Sequence, residues 1–407
     1  MISPTTRDRI QSLDFLRGVA VLGILWANIV FFTSPMIVST LSGVSEGATH
    51  WGDWGAALHA TLVTGKFRAM LAVLFGVGLW LQYVKRRSTG SSWPSSYLWR
   101  VFWLAVIGVC HMLFLWLGDV LTAYAATAVV AVLFVKLSDR VLLWTACGLL
   151  AFNLLLAMLF VALSSVPMDA IDAGALFRLL ESVPSAAETA IFRSGAWLDQ
   201  LALRAMLVPL YAGTALLLPL NLLHLFLIGI VLARSGALAR PSASPKVRDL
   251  CLKLGFGVGL PLNALPFLNP ILGTTASFHL VNELGANTFL ALGYLMLGAV
   301  AVERGAVPWL VALFRPVGQF ALTSYLLQSA LASFACYSWG LRLYGQLQGW
   351  WLASLVIVVW SIVIAFAHLW ARFALIGPVE WVWRSLSEGR RLPLRALKSR
   401  SEAAAAA

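Results

Sequence analysis

The sequence predicts an all-α fold: a polytopic integral membrane bundle of about ten transmembrane helices, with both termini cytoplasmic. Three observations predict it. Apolar residues make up 60% of the 407-residue chain and charged residues 11%, the balance of a chain dissolved in lipid rather than water. Apolar runs recur at about 13–32, 67–84, 99–117, 120–136, 141–163, 204–233, 253–272, 285–303, 317–338 and 350–374. The connections between them alternate in charge. Segment 84–100 holds Lys85, Arg86, Arg87 and Arg100 with no acid, and 234–253 holds Arg234, Arg240, Lys246, Arg248 and Lys253 against Asp249 alone. Lys136 with Arg140, Arg304 with Arg315, and the basic tail fall on the same side when crossings are counted. Segment 164–200 carries five acids against Arg178 and Arg193 and falls on the other side. Short basic connections stay cytoplasmic, so span count and orientation support each other.

The chain therefore reads as one transmembrane domain, 1–407, with 164–200 as an outer loop or amphipathic segment and 377–407 as a basic cytoplasmic tail. The net charge of +12 is spread over short loops and the tail, so the partners it predicts are membrane lipids and not nucleic acid. Cys110, Cys147, Cys251 and Cys336 are far apart and without metal spacing, which makes them small core residues. There is no Walker loop, dinucleotide fingerprint or H-E-x-x-H, and no metal site is expected. His111 and His224, the best-buried histidines, fall at different depths, which excludes a paired haem ligation. The first span carries internal charges and no small-x-small exit, so it is not a cleavable signal.

The first span, SLDFLRGVAVLGILWANIVFF, poses the main question. At ~100° per residue, Asp14, Arg17 and Asn28 share one face. Facing lipid, each charge would cost about 3 kcal/mol, so this face must meet protein or water. Asp14 and Arg17, three apart, are expected to form a buried ion pair. The second span opens with Lys66 and Arg68, which either snorkel to the interface or contact an anion at the outer mouth. Its Gly76-Val77-Gly78 predicts close helix packing. In the third span His111 lies eight residues before Asp119, across a tight Gly118 turn into the fourth. Two readings fit. Asp119 holds one imidazole nitrogen and leaves the other as a base, or it caps the fourth helix while His111 packs against a carbonyl. The overlong sixth span contains Pro209 and Pro219, predicting a kink or break, and pairs Asn221 with His224. The ninth, VGQFALTSYLLQSA, is polar through Gln319, Thr323, Ser324, Gln328 and Ser329, which interhelical hydrogen bonds would absorb. His368 and Arg372 close the tenth, where Arg372 snorkels.

Four stretches, RIQSLDFLRGVAVLGILWANI, KFRAMLAVLFGVG, IGVCHMLFLWLGDVLTAYA and RPVGQFALTSYLLQS…GPVEWVWRSLSEG, resemble the YeiB-like family of bacterial membrane proteins, a domain of unknown function (DUF418). Val120 replaces the isoleucine of that family's G-D-I-L turn. The R-x-x-x-L-D-x-L-R-G pattern, Arg9 to Gly18, is also distantly similar to transmembrane acyltransferases, including the heparan glucosaminide acetyltransferases and those that decorate bacterial glycans. That resemblance implies a bacterial cytoplasmic (inner) membrane protein that moves an acyl group from an acyl-CoA-type donor, with no tightly bound cofactor. The acceptor would be an outer-side hydroxyl or amine, on a small molecule or an envelope glycan. His111 and Asp119 become the candidate catalytic residues. Asp14, Arg17, Asn28, Lys66, Arg68, Tyr124, Ser324 and Gln328 become candidate substrate contacts along a cavity beside the first helix. The competing classes are an exporter of a small lipophilic metabolite and a lipid- or quinone-binding protein. A tunnel constricted at His111 would mark the enzyme, two alternate gates the exporter, and a closed pocket the binding protein.

Overall fold

The structure is a computed structural model that describes residues 10–35, 52–90, 92–164, 185–268, 271 and 278–394. Every regular element among the described residues is helical. In chain order they begin with α1 (Gln11–Thr33), α2 (Gly52–Leu62), α3 (Lys66–Ser88), α4 (Ser95–Phe114), α5 (Leu121–Ala131), α6 (Asp139–Ser164), α7 (Ser185–Ser194) and α8 (Trp197–Ser235). Then come α9 (Pro245–Phe267), α10 (His279–Glu303), α11 (Pro308–Gln319), α12 (Ala321–Cys336), α13 (Trp350–Ala371) and α14 (Pro378–Glu388). Seven stretches are long and apolar enough to cross a membrane: α1, Ala57–Ser88, α4, Asp139–Ala162, α9, α10 and α13. The chain is thus an all-helical protein with the apolar helices of a membrane protein. α5 and the Pro219–Ser235 part of α8 are apolar but shorter.

Burial places the helices. The apolar window of α1 is 72% buried and that of α6 only 17%, so α1 is central and α6 peripheral. α1 packs against α3, α10, α11, α12 and α13. On its polar face Asp14 is buried in protein, while Arg17 and Asn28 are half-buried. α3 and α8 form another close pair: a Cβ on Gly76 would lie 2.1 Å from the Phe226 carbonyl oxygen, so only glycine admits this approach. Gly78 has nothing within 4 Å, so just one of that pair carries the predicted packing.

Two expectations for helix continuity change. The ninth span was expected to be one helix over 317–338. Instead α11 ends at Gln319, and α12 leaves it at 88°. The physical reason lies in both partners. Gly318 lets α11 lie against α1, since a Cβ there would meet the Asp14 carbonyl oxygen at 1.7 Å. The first amides of α12 are then satisfied by Glu380 of α14: its Oε1 accepts Leu322 N at 2.7 Å and Thr323 N at 3.1 Å, and its Oε2 accepts the Thr323 hydroxyl. The sixth span, expected to kink or break, does not break: it runs as the single helix α8 through Pro209 and Pro219. A proline removes one ladder bond, which a packed helix tolerates when its neighbours hold it.

Long-range hydrogen bonds sort the helix ends into two groups. In one, Ser12 Oγ donates to Leu238 O at 2.7 Å, Arg234 to Val135 O at 2.7 Å and Asp139 at 2.5 Å, and Trp383 Nε1 to Arg100 O at 2.8 Å. In the other, Gly345 N donates to Thr33 O at 3.0 Å, Ser333 Oγ to Leu115 O at 3.2 Å, and Arg204 to Leu113 O at 3.0 Å. The amphipathic stretch expected at 168–183 and the end of the basic tail, 395–407, lie outside the described residues. Of the tail, Pro378–Glu388 is the docked helix α14.

Candidate functional site

The site is built on the reversal from α4 to α5. His111 sits in the last turn of α4, and its carbonyl accepts the amides of Leu115 and Trp116, both at 3.0 Å, which ends the helix. The chain turns through Gly118 and enters α5 at Leu121. Gly108 makes the return possible: a Cβ there would stand 2.7 Å from Asp119 Oδ2. Asp119 divides its carboxylate between two tasks. Oδ2 accepts the Thr122 amide at 2.7 Å and the Thr122 hydroxyl, capping α5. Oδ1 lies 3.1 Å from His111 Nδ1. Both side chains are fully buried. Asp119 thus makes both the imidazole contact and the α5 cap, one on each oxygen, and His111 meets the acid and not a backbone carbonyl among the described residues.

The tautomer follows from the network. An ionised carboxylate accepts only, so Nδ1 carries the proton and Nε2 keeps its lone pair. Nε2 is buried and has no hydrogen-bond partner among the described residues. An imidazole held by a carboxylate, with its second nitrogen open, is equipped to take a proton. Tyr325 of α12 closes one side, its ring centroid 5.0 Å from that of His111, and its hydroxyl accepts the Val120 amide at 3.4 Å. Trp116 closes another side, edge-on at 6.4 Å.

The remaining candidates divide. Tyr124 lies on α5 one turn beyond Asp119, and its hydroxyl donates to Arg68 O at 2.6 Å, which links the α5 start to the α3 start. Arg68 forms an ion pair with Glu283 of α10, both about one-third exposed. Glu283 also accepts from Asn287 Nδ2 at 3.4 Å. Lys66 neither snorkels nor faces an open mouth: it is fully buried, and its Nζ donates to the Ala60 carbonyl. Asp14 and Arg17 do pair, at 3.4 Å, but the Arg17 side chain is 31% exposed against 5% for Asp14, so only the acid is buried. They belong to the opposite helix ends from His111. Asn28 is half-buried and makes no side-chain hydrogen bond among the described residues. Ser324 donates to Val317 O at 3.2 Å and Gln328 to Val21 O at 3.0 Å, so both tie helices together.

Neither of two small pockets among the described residues is lined by Asp14, Arg17 or Asn28. One lies between Arg68, Asn221, His224, Glu283, Asn287 and Thr288. There His224 Nε2 meets Thr288 Oγ1 at 2.7 Å. The other lies behind Trp116. Each is narrow, with room for about one water molecule. Sequence reasoning missed Glu283, Tyr325 and Glu380 because their partners are 215, 205 and 57 positions away. It missed Thr122 for another reason. A hydroxyl three residues after an acid at a helix start was a readable capping signal.

Residues 232–390 match a family described as "Protein of unknown function (DUF418)". Three curated relatives extend the likeness over most of the chain. The "Uncharacterized protein YxaH" of Bacillus subtilis (strain 168) is 28% identical over 401 residues, covering 94% of this chain and 96% of the relative. The "Uncharacterized protein YeiB" of Escherichia coli (strain K12) is 29% identical over 393 residues, covering 93% and 96%. An "Uncharacterized 39.9 kDa protein in amylase 3'region" of Bacillus acidopullulyticus is 28% identical over 396 residues, covering 95% and 96%.

Proposed function

We propose that this chain, a member of the YeiB-like (DUF418) family, is a membrane-embedded acyltransferase that uses His111 as general base and Asp119 as its positioning residue. The observation that carries the reading is the divided carboxylate of Asp119: one oxygen caps α5, the other fixes the His111 tautomer, and Nε2 is left open. In the proposed step, Nε2 takes the proton from an acceptor hydroxyl or amine. The acceptor atom then attacks the thioester carbonyl carbon of an acyl-CoA-type donor. The carbon–sulfur bond breaks, and the leaving thiolate recovers the proton from the imidazolium. Base catalysis of this kind is worth about 10²–10⁴-fold. Because Nε2 is enclosed, the acceptor reaches it only when Trp116 or Tyr325 moves aside, a gating step of the usual kind.

The finer membrane arrangement belongs to the same proposal. α5, the Pro219–Ser235 part of α8 and the bent α11–α12 pair, added to the seven long spans, give ten crossings. Both termini are cytoplasmic, in a bacterial inner membrane. The charge alternation supports this, and so do the two groups of bonded helix ends: Arg100, Arg234 and the tail fall in one, Thr33, Leu113 and Gly345 in the other. His111 then sits toward the outer face, and the donor enters from within. Reporter fusions at Ser92 and Ser185 should report opposite sides; the same side for both overturns the arrangement.

The decisive test of activity uses purified protein, labelled acyl-CoA and a panel of hydroxyl and amine acceptors. Wild type transfers label, while His111→Gln and His111→Ala lose transfer with folding unchanged. Full activity in both variants removes His111 from the mechanism. A second reading, an exporter of a small lipophilic metabolite, draws on the 88° break at Phe320, since broken helices line transport sites. Flux across vesicles without acyl transfer would favour it.

A further inference from the structure

We propose that the junction of α3, α4 and α14 binds the phosphate of an anionic membrane phospholipid, with Arg100 at its centre. The inference needs only that the chain lies in a bilayer and does not rest on acyl transfer. α14 packs against α4, and two contacts with Trp383 hold Arg100 at that junction. The Arg100 carbonyl accepts the Trp383 indole N–H at 2.8 Å, and the guanidinium carbon lies 4.8 Å from the centroid of the Trp383 ring. Such a stack orients the guanidinium plane and uses none of its hydrogen bonds. Arg100 Nε is buried without a partner, and the side chain makes no ion pair or hydrogen bond among the described residues.

Like charge surrounds it. Arg384 and Arg86 both repel the Arg100 charge, and the attraction of Glu388 is weaker than either. Glu388 is itself bonded to Arg390 at 3.3 Å. Arg86, in the last turn of α3, is half-buried and bonds to no acid among the described residues. Arginines from separate helices gather at a cost unless an anion lies among them. Trp103, one turn along α4 from Arg100, adds a buried indole N–H with no partner among the described residues. A guanidinium and an indole only donate, so the group that suits them is an acceptor carrying negative charge. One guanidinium fork fills a planar carboxylate. A tetrahedral phosphodiester keeps oxygens for donors on a second helix.

The apolar residues beside the arginines point to a lipid rather than a soluble phosphate. On α4, Trp99 and Phe102 stand on either side of Arg100 in the chain; both are exposed, and their rings stack at 5.1 Å. On α14, the exposed Val382 and Leu386 stand on either side of Arg384. Exposed apolar residues next to a cationic cluster suit acyl chains below a headgroup, and stacked tryptophan is usual at that depth. A zwitterionic headgroup would bring its own cation among the arginines, so the lipid is anionic.

Native mass spectrometry of the full chain, released from detergent and titrated with phosphatidylglycerol, tests this. Phosphatidylglycerol should bind. Diacylglycerol, which lacks the phosphate, oleate and phosphatidylcholine should not displace it. Arg100→Gln removes the fork and the charge and should weaken binding about tenfold, the value of one charge-assisted hydrogen bond. Arg86→Gln should weaken it about threefold, as a neighbour partly screened by water, and it decides the matter if Arg100→Gln does not fold. Arg240→Gln removes the same charge from an exposed arginine after α8 and should bind as wild type does. Unchanged binding in the folded Arg100→Gln and Arg86→Gln proteins, or an equal loss in Arg240→Gln, overturns the site. Coenzyme A that displaces the lipid from wild type but no longer binds Arg100→Gln would make the occupant a soluble phosphate and overturn the lipid. His111 lies eleven residues along α4, ~16 Å away, so none of these outcomes bears on the acyl-transfer assay.

Discussion

Among the described residues, Glu380 and Asp119 both serve buried helix starts, and they divide their oxygens differently. Glu380 serves α12, where its two oxygens accept the Leu322 and Thr323 amides and the Thr323 hydroxyl. Asp119 serves α5 with one oxygen, which accepts the Thr122 amide and hydroxyl, and turns the other to His111. The chemistry at the helix end is the same: an acid meeting orphan amides at the positive end of a dipole. What differs is the partner left over. Glu380 is fully used by structure, while Asp119 sets the proton position on an imidazole whose other nitrogen has no partner among the described residues. An acid at a helix start is therefore no functional sign by itself. The third partner is.

The comparison breaks most sharply at Glu380. Glu380→Ala strands buried amides and a hydroxyl, and should cost about 3–5 kcal/mol, since each stranded donor costs about 1–3 kcal/mol. Thermal unfolding in detergent checks this, and a midpoint equal to wild type would show that the α12 start is satisfied otherwise. Asp119→Asn should behave oppositely. Its amide oxygen can keep the cap, so stability falls by no more than about 1 kcal/mol. Its amide nitrogen cannot accept from Nδ1, so acyl transfer should fall by about 10²-fold, the lower end of a general base's contribution. If Asp119→Asn unfolds the protein while transfer per folded molecule is unchanged, the two acids are alike after all.

The smallest effect is expected at Arg17. From the sequence, the Asp14–Arg17 pair was expected to be buried and its loss correspondingly costly. With Arg17 31% exposed at 3.4 Å from Asp14, water screens the pair, and Arg17→Gln should cost about 1 kcal/mol or less. A loss of several kcal/mol in the same unfolding experiment would mean that Arg17 is held as tightly as Asp14.

How much was legible follows the range of each interaction. The α1 polar face was readable because three residues share one helix, and the lipid penalty is local. The His111–Asp119 contact was readable because eight residues and one tight turn fix it. The α11–α12 break was not read, although Pro316 and Gly318 stand at it, because Gln319, Thr323 and Ser324 around it suit a single helix tied to its neighbours by hydrogen bonds. Its stabilising acid, Glu380, arrives 57 residues later. The Arg68–Glu283 pair lies 215 residues apart, so a single sequence shows two lone charges and not a bond. Lys66 looked like a snorkelling residue because its acceptor is a backbone carbonyl, which leaves no trace in residue type.

The central claim is that Asp119 fixes His111 with its proton on Nδ1 and an open Nε2. Nitrogen-15 NMR of histidine-labelled protein reads this directly, since the two ring nitrogens differ in shift when one alone is protonated. Wild type should give one histidine in the Nδ1–H form, assigned by its disappearance in His111→Gln, and Asp119→Asn should move that resonance to the Nε2–H form. A His111 already in the Nε2–H form, or one unchanged by Asp119→Asn, would contradict the account.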